Sequence, residues 1–330
     1  MRHRKFGRLG WSVSEVGYGM WGMGGWTGSD DAQSLASLDR AIALGCNFFD
    51  TAFAYGDGHS ETLLAQALRR HPGQRLYVAT KVPPKDRHWP GLATTPPGNV
   101  FPYDYVVGMT EKSAKNLGVE RIDLQQLHVW SDAWVEDDGW RRAAEDLKQR
   151  GLVLGFGISV NRWEPTNVLK AIATGLVDSV QVVYNVFDQN PEDALFPACE
   201  KAGTAVIARV PFDEGTLTGT LTKDSKWPEG DWRNTYFDPE NLVPSVERAE
   251  ALKKTLAEWN RERSTNITMP ELALRFILGN DDVSTIIPGM RKLSHVESNI
   301  GASDAGPLAP ELQEKMRGFR WVRKPAPWSQ

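Results

Sequence analysis

Short apolar runs alternate with segments of helical periodicity along most of the 330-residue chain. The apolar runs predict buried strands, because strands covered on both faces lack the alternation of half-exposed ones. Between the runs, apolar residues recur at helical spacing, as at Leu63, Leu64, Ala67 and Leu68, a helix that we expect Ser60 to cap. The predicted strands cover residues 15–19, 46–50, 76–82, 122–128, 153–159, 179–185, 204–210 and 283–287.

Eight strands, each followed by at least one helix, predict an α/β fold of the (β/α)8 TIM barrel type. No linker interrupts the pattern, so we expect one domain over residues 1–330. A hairpin is predicted at residues 4–6 and 11–13, before the barrel. Long loops are expected at residues 83–102 and 211–239, on the C-terminal face of the barrel. The tail, residues 302–330, holds four prolines and predicts an extended segment over the barrel.

The stretch from Gly17 to Gly22 fits the pattern G-x-G-x-x-G of dinucleotide-binding Rossmann folds. In those folds a helix opens at the glycines and its N-terminus meets a pyrophosphate. Here residues 23–28 include three further glycines, which cannot form the first turns of a stable helix. We therefore expect a loop after the first strand.

Composition excludes several classes of function. The net charge is −4 and no basic block occurs, so we expect no nucleic-acid partner. No apolar run is long enough for a membrane span, and no apolar stretch follows the basic start of the chain. Cys46 and Cys199 lie in apolar surroundings without the spacing of metal ligands. We expect a cytoplasmic protein with no metal and no membrane partner, and the oligomeric state stays open.

Four ionisable side chains fall at or just after the ends of successive predicted strands: Asp50, Tyr55, Lys81 and His128. In a barrel these positions meet on the C-terminal face, where such enzymes build their sites. A tyrosine hydroxyl has a pKa near ~10, and a neighbouring ammonium lowers it, which makes the phenol a better acid. Each residue alone is as easily a turn former or a helix cap. Together they predict an acid–base site.

Tryptophan is unusually frequent, with 13 residues, and several fall in predicted loops. Such side chains are well suited to lining an apolar pocket, although any single one is better explained by ordinary core or loop packing. The loop tryptophans are Trp21, Trp26, Trp89, Trp130, Trp227 and Trp232. We predict that Trp21, Trp89 and Trp130 line a substrate pocket.

The segment from Asn47 to Gly56 resembles the signature of the aldo-keto reductases, and Lys81 and His128 match that family's other two catalytic positions. The resemblance implies that NAD(P)H delivers hydride to a carbonyl carbon while Tyr55 protonates the oxygen. Lys81 would then stabilise the phenolate character of Tyr55, Asp50 would orient Lys81, and His128 would hydrogen-bond the carbonyl oxygen.

The same resemblance implies cofactor contacts. Ser159, Asn161 and Gln181 are similar to residues that hold the nicotinamide, although Val160 separates the first two, which are adjacent in many members. Arg209 stands where some branches place an aromatic ring that stacks on the nicotinamide. It could stack there instead, or form a structural ion pair with Asp213 or Glu214.

The last predicted strand leads into a segment that resembles the family's adenosine-phosphate site. Its predicted contacts are Pro288, Gly289, Arg291, His295, Ser298 and Asn299, with Lys292 adding charge. The charge of Arg291 and Lys292 favours NADPH as the cofactor, with NADH possible. His295 stands where the family often has an arginine, which implies a narrower preference for NADPH than an arginine would give.

Two other functions stay open at this stage. One is a cofactor-binding regulatory subunit of the same fold, like the potassium-channel β-subunits. The other is a Schiff-base aldolase barrel with Lys81 as nucleophile. The leading hypothesis is a reductase of a small-molecule carbonyl compound whose identity the sequence does not give.

Overall fold

The computed structural model describes residues 1–25 and 28–326. It opens with the predicted hairpin, formed by β1 (His3–Phe6) and β2 (Trp11–Ser14), which pair antiparallel. The inward-facing Phe6 and Val13 are buried against barrel residues such as Phe48 and Leu124. The hairpin therefore belongs to the core and is not an appendage. Trp26 and the last four residues, 327–330, lie outside the described part of the chain.

Eight parallel strands then pair in chain order in a single sheet. Isolated parallel bridges join Val16 to Ile286 and Gly19 to Gly289, and these connect the first strand to the last. The (β/α)8 barrel expected from the sequence is confirmed. The strands are β3 (Tyr18–Gly19), β4 (Phe48–Asp50), β5 (Tyr77–Val82), β6 (Ile122–Leu127), β7 (Val153–Ser159), β8 (Ser179–Val183), β9 (Ala205–Arg209) and β10 (Val283–Ile286).

Helices follow the strands around the barrel. They are α1 (Asp31–Ala43), α2 (His59–Arg70), α3 (Tyr103–Leu117), α4 (Asp138–Gln149), α5 (Leu169–Ala173), α6 (Pro191–Ala202), α7 (Arg233–Tyr236), α8 (Pro239–Arg263), α9 (Met269–Leu278), α10 (Leu293–Ala305) and α11 (Pro310–Arg317). The predicted cap of α2 is wrong. Gly58 precedes the helix, and Ser60 lies inside its first turn, where its hydroxyl accepts a hydrogen bond from Thr51 Oγ1 at 2.8 Å.

The C-terminal tail also differs from the prediction. It is not extended throughout, because Pro310 begins the helix α11. Proline fits the first helical position, since the backbone N–H there has no partner within the helix. Residues 320–326 follow without regular secondary structure, and Arg323 within them is buried.

The glycine-rich stretch after residue 16 serves barrel closure. A side chain at Gly19 would place its Cβ 2.5 Å from the Ile287 carbonyl oxygen, so only glycine permits this close approach. A short 3₁₀ turn, Trp21–Met23, follows the strand, so the described residues directly after the glycines do not open the long helix of a Rossmann fold. Across the described residues, no helix is both long and apolar enough to cross a membrane.

Candidate active site

The structure brings the four predicted residues together on the C-terminal face of the barrel. Asp50 ends β4, Lys81 lies in β5, His128 directly follows β6, and Tyr55 lies on the loop after β4. The Nζ atom of Lys81 is 3.4 Å from the Tyr55 hydroxyl. The rings of Tyr55 and His128 meet edge to face, with centroids 5.7 Å apart. A carbonyl oxygen placed between these rings would be within reach of both.

Lys81 is fully buried and donates three hydrogen bonds. Its Nζ atom donates to Asp50 Oδ1 at 2.6 Å, to the Thr51 carbonyl oxygen at 2.8 Å and to the Tyr55 hydroxyl. These partners use all three N–H bonds of the ammonium group. The side chain is thus fixed with one donor aimed at the phenol.

Two glutamines hold the second oxygen of the Asp50 carboxylate. Gln181 Nε2 donates to Oδ2 at 2.7 Å, and Gln126 Nε2 donates to the same oxygen at 3.2 Å. Gln126 was missing from the sequence prediction. The sequence holds a signal for it, because Gln126 lies in β6 two residues before His128, and residues two apart along an extended chain point to the same face.

Burial is the largest single influence on the pKa of both Lys81 and Tyr55, but it decides the direction of the shift only for Tyr55. Burial alone would lower the pKa of Lys81, but the charge of Asp50 and the oxygen of Tyr55 raise it above its usual value, so Lys81 stays charged. Burial raises the pKa of Tyr55 above 10.0, and Lys81 offsets only part of that effect. The expected net lowering of the phenol pKa is therefore wrong for the free protein, because desolvation of the phenolate outweighs one nearby charge.

His128 is neutral at physiological pH. Burial, with the charges of Lys81 and Arg209, lowers its pKa well below 6.5. Its Nδ1 atom is buried and has no hydrogen-bond partner among the described residues. The ring also meets Trp89 edge to face, with centroids 5.9 Å apart. A neutral imidazole carries one N–H, so His128 can offer one hydrogen bond to a substrate oxygen.

The predicted nicotinamide contacts occupy adjacent strand ends. Ser159 ends β7 and Gln181 lies in β8, both nearly fully buried. Asn161 is different, because protein groups use its amide. Its Nδ2 atom donates to the Gly91 carbonyl oxygen at 3.0 Å and to Glu164 at 2.8 Å, and its Oδ1 atom accepts from the Gly91 N–H. Asn161 thus anchors the loop of residues 83–102, and its contact with a cofactor stays a prediction.

Arg209 ends β9 and is free of the ion pairs considered for it. Asp213 pairs with Arg323, and Glu214 pairs with Arg162. Arg209 donates from Nη2 to the Val160 carbonyl oxygen at 3.0 Å, while its buried Nε atom has no partner within the described part of the chain. Burial and the neighbouring charge of Arg162 lower the pKa of Arg209 to about 10. A cation with an unused, buried donor atom and no direct ion pair to Asp213 or Glu214 favours an electron-rich ligand.

The predicted adenosine-phosphate segment follows β10. Pro288 and Asn299 are buried, whereas Gly289, His295 and Ser298 are exposed. Arg291 packs against the loop after β3, since a Cβ at Gly22 would lie 3.0 Å from Arg291 Cδ. Among residues 1–25 and 28–326, the buried Nη1 atom of Arg291 has no partner. The helix α10 begins here, and its N-cap, Lys292, makes no side-chain capping bond.

The predicted pocket tryptophans separate into two groups. Trp21 is 42% exposed and Trp89 is 38% exposed, both on loops at the C-terminal face. Trp21 meets Trp232 edge to face at 5.5 Å, which brings two long loops together. The prediction for Trp130 is wrong, because its side chain is fully buried against Trp134 and Trp140 in the core. Its position just after a strand end does not show which way the ring turns.

A family model described as the aldo/keto reductase family matches residues 15–319. This chain belongs to the aldo/keto reductase family. It is 30% identical to an uncharacterised oxidoreductase of Bacillus subtilis, YqkF, over 94% of both chains. It is 26% identical to an NADH-specific methylglyoxal reductase of Escherichia coli, covering 88% of this chain and 90% of that one.

Solved structures agree with this assignment. An aldo-keto reductase from Bacillus halodurans in its holo form has a TM-score of 0.77 and 25% identity, with all of both chains covered. A glycerol dehydrogenase from Gluconobacter oxydans has a TM-score of 0.76, 25% identity and 98% coverage of both chains. This aldo/keto reductase is therefore an oxidoreductase of a family that uses nicotinamide cofactors. The relatives differ in cofactor, since an aldo-keto reductase of Schizosaccharomyces pombe, 27% identical over 88% of this chain and 84% of that one, is named for NADP(+).

Proposed function

We propose that this protein reduces an aldehyde or ketone with NADPH as the preferred hydride donor, NADH as a weaker one, and Tyr55 as the general acid. The observation that carries this proposal is the hydroxyl of Tyr55, held 3.4 Å from the buried ammonium of Lys81. The hydroxyls of Tyr103 and Tyr184 instead bond to carboxylates, those of Asp146 and Glu192. A small-molecule substrate bound at this face would therefore contact the Tyr55 hydroxyl, next to the fixed ammonium of Lys81.

The raised pKa of Tyr55 has two effects, since it keeps the phenol protonated but also makes it a weaker acid that depends on Lys81. The phenol is protonated at neutral pH, so it holds the proton that a carbonyl oxygen needs on becoming an alcohol oxygen. As that proton leaves, the charge of Lys81 stabilises the phenolate. Proton transfer by a positioned side chain contributes roughly 10²–10⁴-fold to a rate. His128, being neutral, donates one hydrogen bond to the same oxygen and fixes its direction.

The described residues fit a nicotinamide dinucleotide. Three buried arginine donor atoms have no partner among them, and two of these, Arg209 Nε and Arg291 Nη1, belong to predicted cofactor contacts. Both suit an anionic or electron-rich ligand, and the N–H groups at the start of α10 favour a phosphate. The bound cofactor would supply the hydride. Residues proposed at the nicotinamide end are Ser159, Asn161, Gln181 and Arg209, and those at the adenosine end are Pro288, Gly289, Arg291, His295, Ser298 and Asn299.

The proposed pocket walls are Trp21 and Trp89, which favour an apolar carbonyl compound. We also propose that the protein acts in the cytoplasm as a single-domain enzyme without nucleic-acid or membrane partners, in keeping with its net charge of −4. An aldolase role for Lys81 is disfavoured, because an ammonium that is fully buried and paired with Asp50 is a poor nucleophile.

The test is oxidation of NADPH and NADH against a panel of aldehydes, ketones and sugars, with Tyr55→Phe beside the wild type. Tyr55→Phe should lower kcat by about 10² or more and leave the cofactor Kd nearly unchanged, because it removes only the acid. Retention of more than about a tenth of kcat would show that Tyr55 is not the acid. Cofactor binding without turnover of any panel compound would favour the regulatory subunit.

A further inference from the structure

Arg323, in the C-terminal tail, links two loops on the C-terminal face of the barrel. Its Nε atom donates to Asp188 Oδ1 at 3.1 Å, and its Nη2 atom donates to Asp213 Oδ1 at 2.7 Å. Asp188 lies on the loop after β8, and Asp213 lies on the loop after β9. All three side chains are buried, so this is an interior ion-pair cluster. A residue near the end of the chain therefore closes a contact that no local segment could make.

Aromatic rings enclose the same guanidinium group. Its central carbon lies 4.5 Å from the ring centroid of Trp163 and 4.6 Å from that of Trp321. Trp163 follows β7, so Arg323 contacts the loops after three consecutive strands. The planar, forked geometry of arginine serves two carboxylates and two rings together, which a lysine cannot do.

The loop after β9 has an unusual backbone. Val210, Asp213 and Glu214 all have left-handed φ angles, of 57°, 46° and 55°. This region suits glycine, and a β-branched residue such as valine is rarely found there. Strained conformations of this kind persist only where surrounding contacts fix them. Contacts with residues outside the loop must therefore fix this backbone conformation.

Arg323 supplies that hold at both ends of the strained segment. It pairs directly with Asp213. It also pairs with Asp188, whose Oδ2 accepts from Asn185 Nδ2 at 2.9 Å, and the same Nδ2 donates to the Val210 carbonyl oxygen at 3.1 Å. The two ion pairs depend on the tail lying where it does, and Asn185 links one of them to Val210.

The strained segment adjoins the candidate active site. Val210 directly follows Arg209, the last residue of β9. The charge of Arg209 acts on both Tyr55 and His128, lowering the pKa of each. A change in the backbone at Val210 would therefore move a cation that lies near the acid.

We propose that Arg323 is a positioning residue of the active site, which holds the loop after β9 in its left-handed conformation and so sets the place of Arg209 beside Tyr55. Its effect on the reaction rests on the proposed function. Its effect on the loop does not, and the experiment measures the two separately.

The test compares Arg323→Met with Arg320→Met. Arg320 lies three residues earlier on the same tail and forms an exposed ion pair with Asp193, so it is a matched control for loss of a tail cation. Hydrogen exchange of residues 210–219 should become about tenfold faster or more in Arg323→Met, while exchange in β4–β6 stays as in the wild type. NADPH binding, followed by tryptophan fluorescence, should weaken about tenfold, with kcat changed less. Arg320→Met should leave every value unchanged.

A double-mutant cycle tests the strain itself. Val210→Gly removes the cost of the left-handed backbone. Arg323→Met should therefore speed loop exchange several-fold less in the Val210→Gly protein than in the wild-type protein. The proposal would be overturned if residues 210–219 exchanged at the wild-type rate in Arg323→Met, or if exchange became faster by the same factor over the whole chain. If Arg323→Met does not fold, Arg323→Lys replaces it, and loop exchange as slow as in the wild type would likewise overturn the proposal. If the wild type binds no nicotinamide cofactor, the proposed function fails, and the exchange rates still decide the role of Arg323.

Discussion

The Nζ atom of Lys81 lies 2.6 Å from Oδ1 of Asp50, and both side chains are buried at the C-terminal face of the barrel. Such a pair is costly to break, because removing one partner leaves the other charged and uncompensated. Tyr55 is the third member, within 3.4 Å of the same ammonium. The charge state of the phenol is therefore tied to the integrity of the pair.

Substitution of Lys81 should lower kcat/KM more than substitution of its partner Asp50. Lys81→Met leaves the Asp50 carboxylate beside Tyr55, and desolvation and that negative charge then raise the pKa of Tyr55 against the smaller opposing effect of Arg209 alone. We expect kcat/KM to fall by about 10² or more, and less in Asp50→Asn, since Lys81 still reaches the phenol. The measurement is the pH profile of kcat/KM for reduction and oxidation, with thermal unfolding to confirm that each variant folds. An unchanged rate and profile in Lys81→Met would make Lys81 structural only.

The pH profile of the wild type should be flat over a wide range. Burial lowers the pKa of His128 well below 6.5, so the imidazole gains charge only at lower pH. Burial raises the pKa of Tyr55 above 10.0, so the acid loses its proton only at higher pH. We therefore expect no inflection in kcat/KM for reduction between pH 6.5 and 10.0. Steady-state assays across pH 5 to 11 check this, and His128→Gln should remove any acid limb. An inflection of kcat/KM near neutral pH in the wild type would contradict this prediction, because it would require a titrating group other than His128 and Tyr55.

Asn161 offers a choice between two roles. The resemblance to the family implies an amide contact with the cofactor, whereas its hydrogen bonds to Gly91 tie down the loop that carries Trp89. If the loop role is the main one, Asn161→Ala should change KM among carbonyl substrates of different size and leave the NADPH Kd unchanged. Ser159→Ala is the comparison, since Ser159 has no such bond to that loop. Weaker binding of NADPH by Asn161→Ala would instead show that the Asn161 amide contacts the cofactor.

The barrel and its four central residues follow from the sequence for a simple reason. Parallel strands of a barrel end on one face, so residues that end successive strands must meet there, as Asp50 and Lys81 do. The five-residue step from Asp50 to Tyr55 is short enough to keep the phenol at that face. Hydrophobic periodicity and strand order therefore decide most of this arrangement.

Other features depend on contacts between distant segments, which no local pattern contains. The rotamer that buries Trp130 in the core is set by Trp134 and Trp140. The pKa of Tyr55 depends on how completely the surrounding loops exclude water. Arg323 reaches Asp188 and Asp213 from the far end of the chain. The sequence marks such residues only by their chemical type.

The cofactor preference should depend on Arg291 and, at low pH, on His295. Arg291 has a buried donor atom without a partner among the described residues, so it can bind a 2′-phosphate at little cost. Partial desolvation of the exposed His295 ring, then the charges of Lys292 and Arg291, lower the pKa of His295 below 6.5, so it is mostly neutral at pH 7 and adds charge only below that. NADPH should thus be preferred over NADH, with a preference that shrinks in Arg291→Ala and, in the wild type, declines as pH rises through the pKa of His295. The measurement is KM for both cofactors from pH 5 to 8, with His295→Ala as the control that should flatten the pH dependence. Equal KM values in the wild type would contradict the NADPH preference, and an unchanged preference in Arg291→Ala would place the phosphate elsewhere.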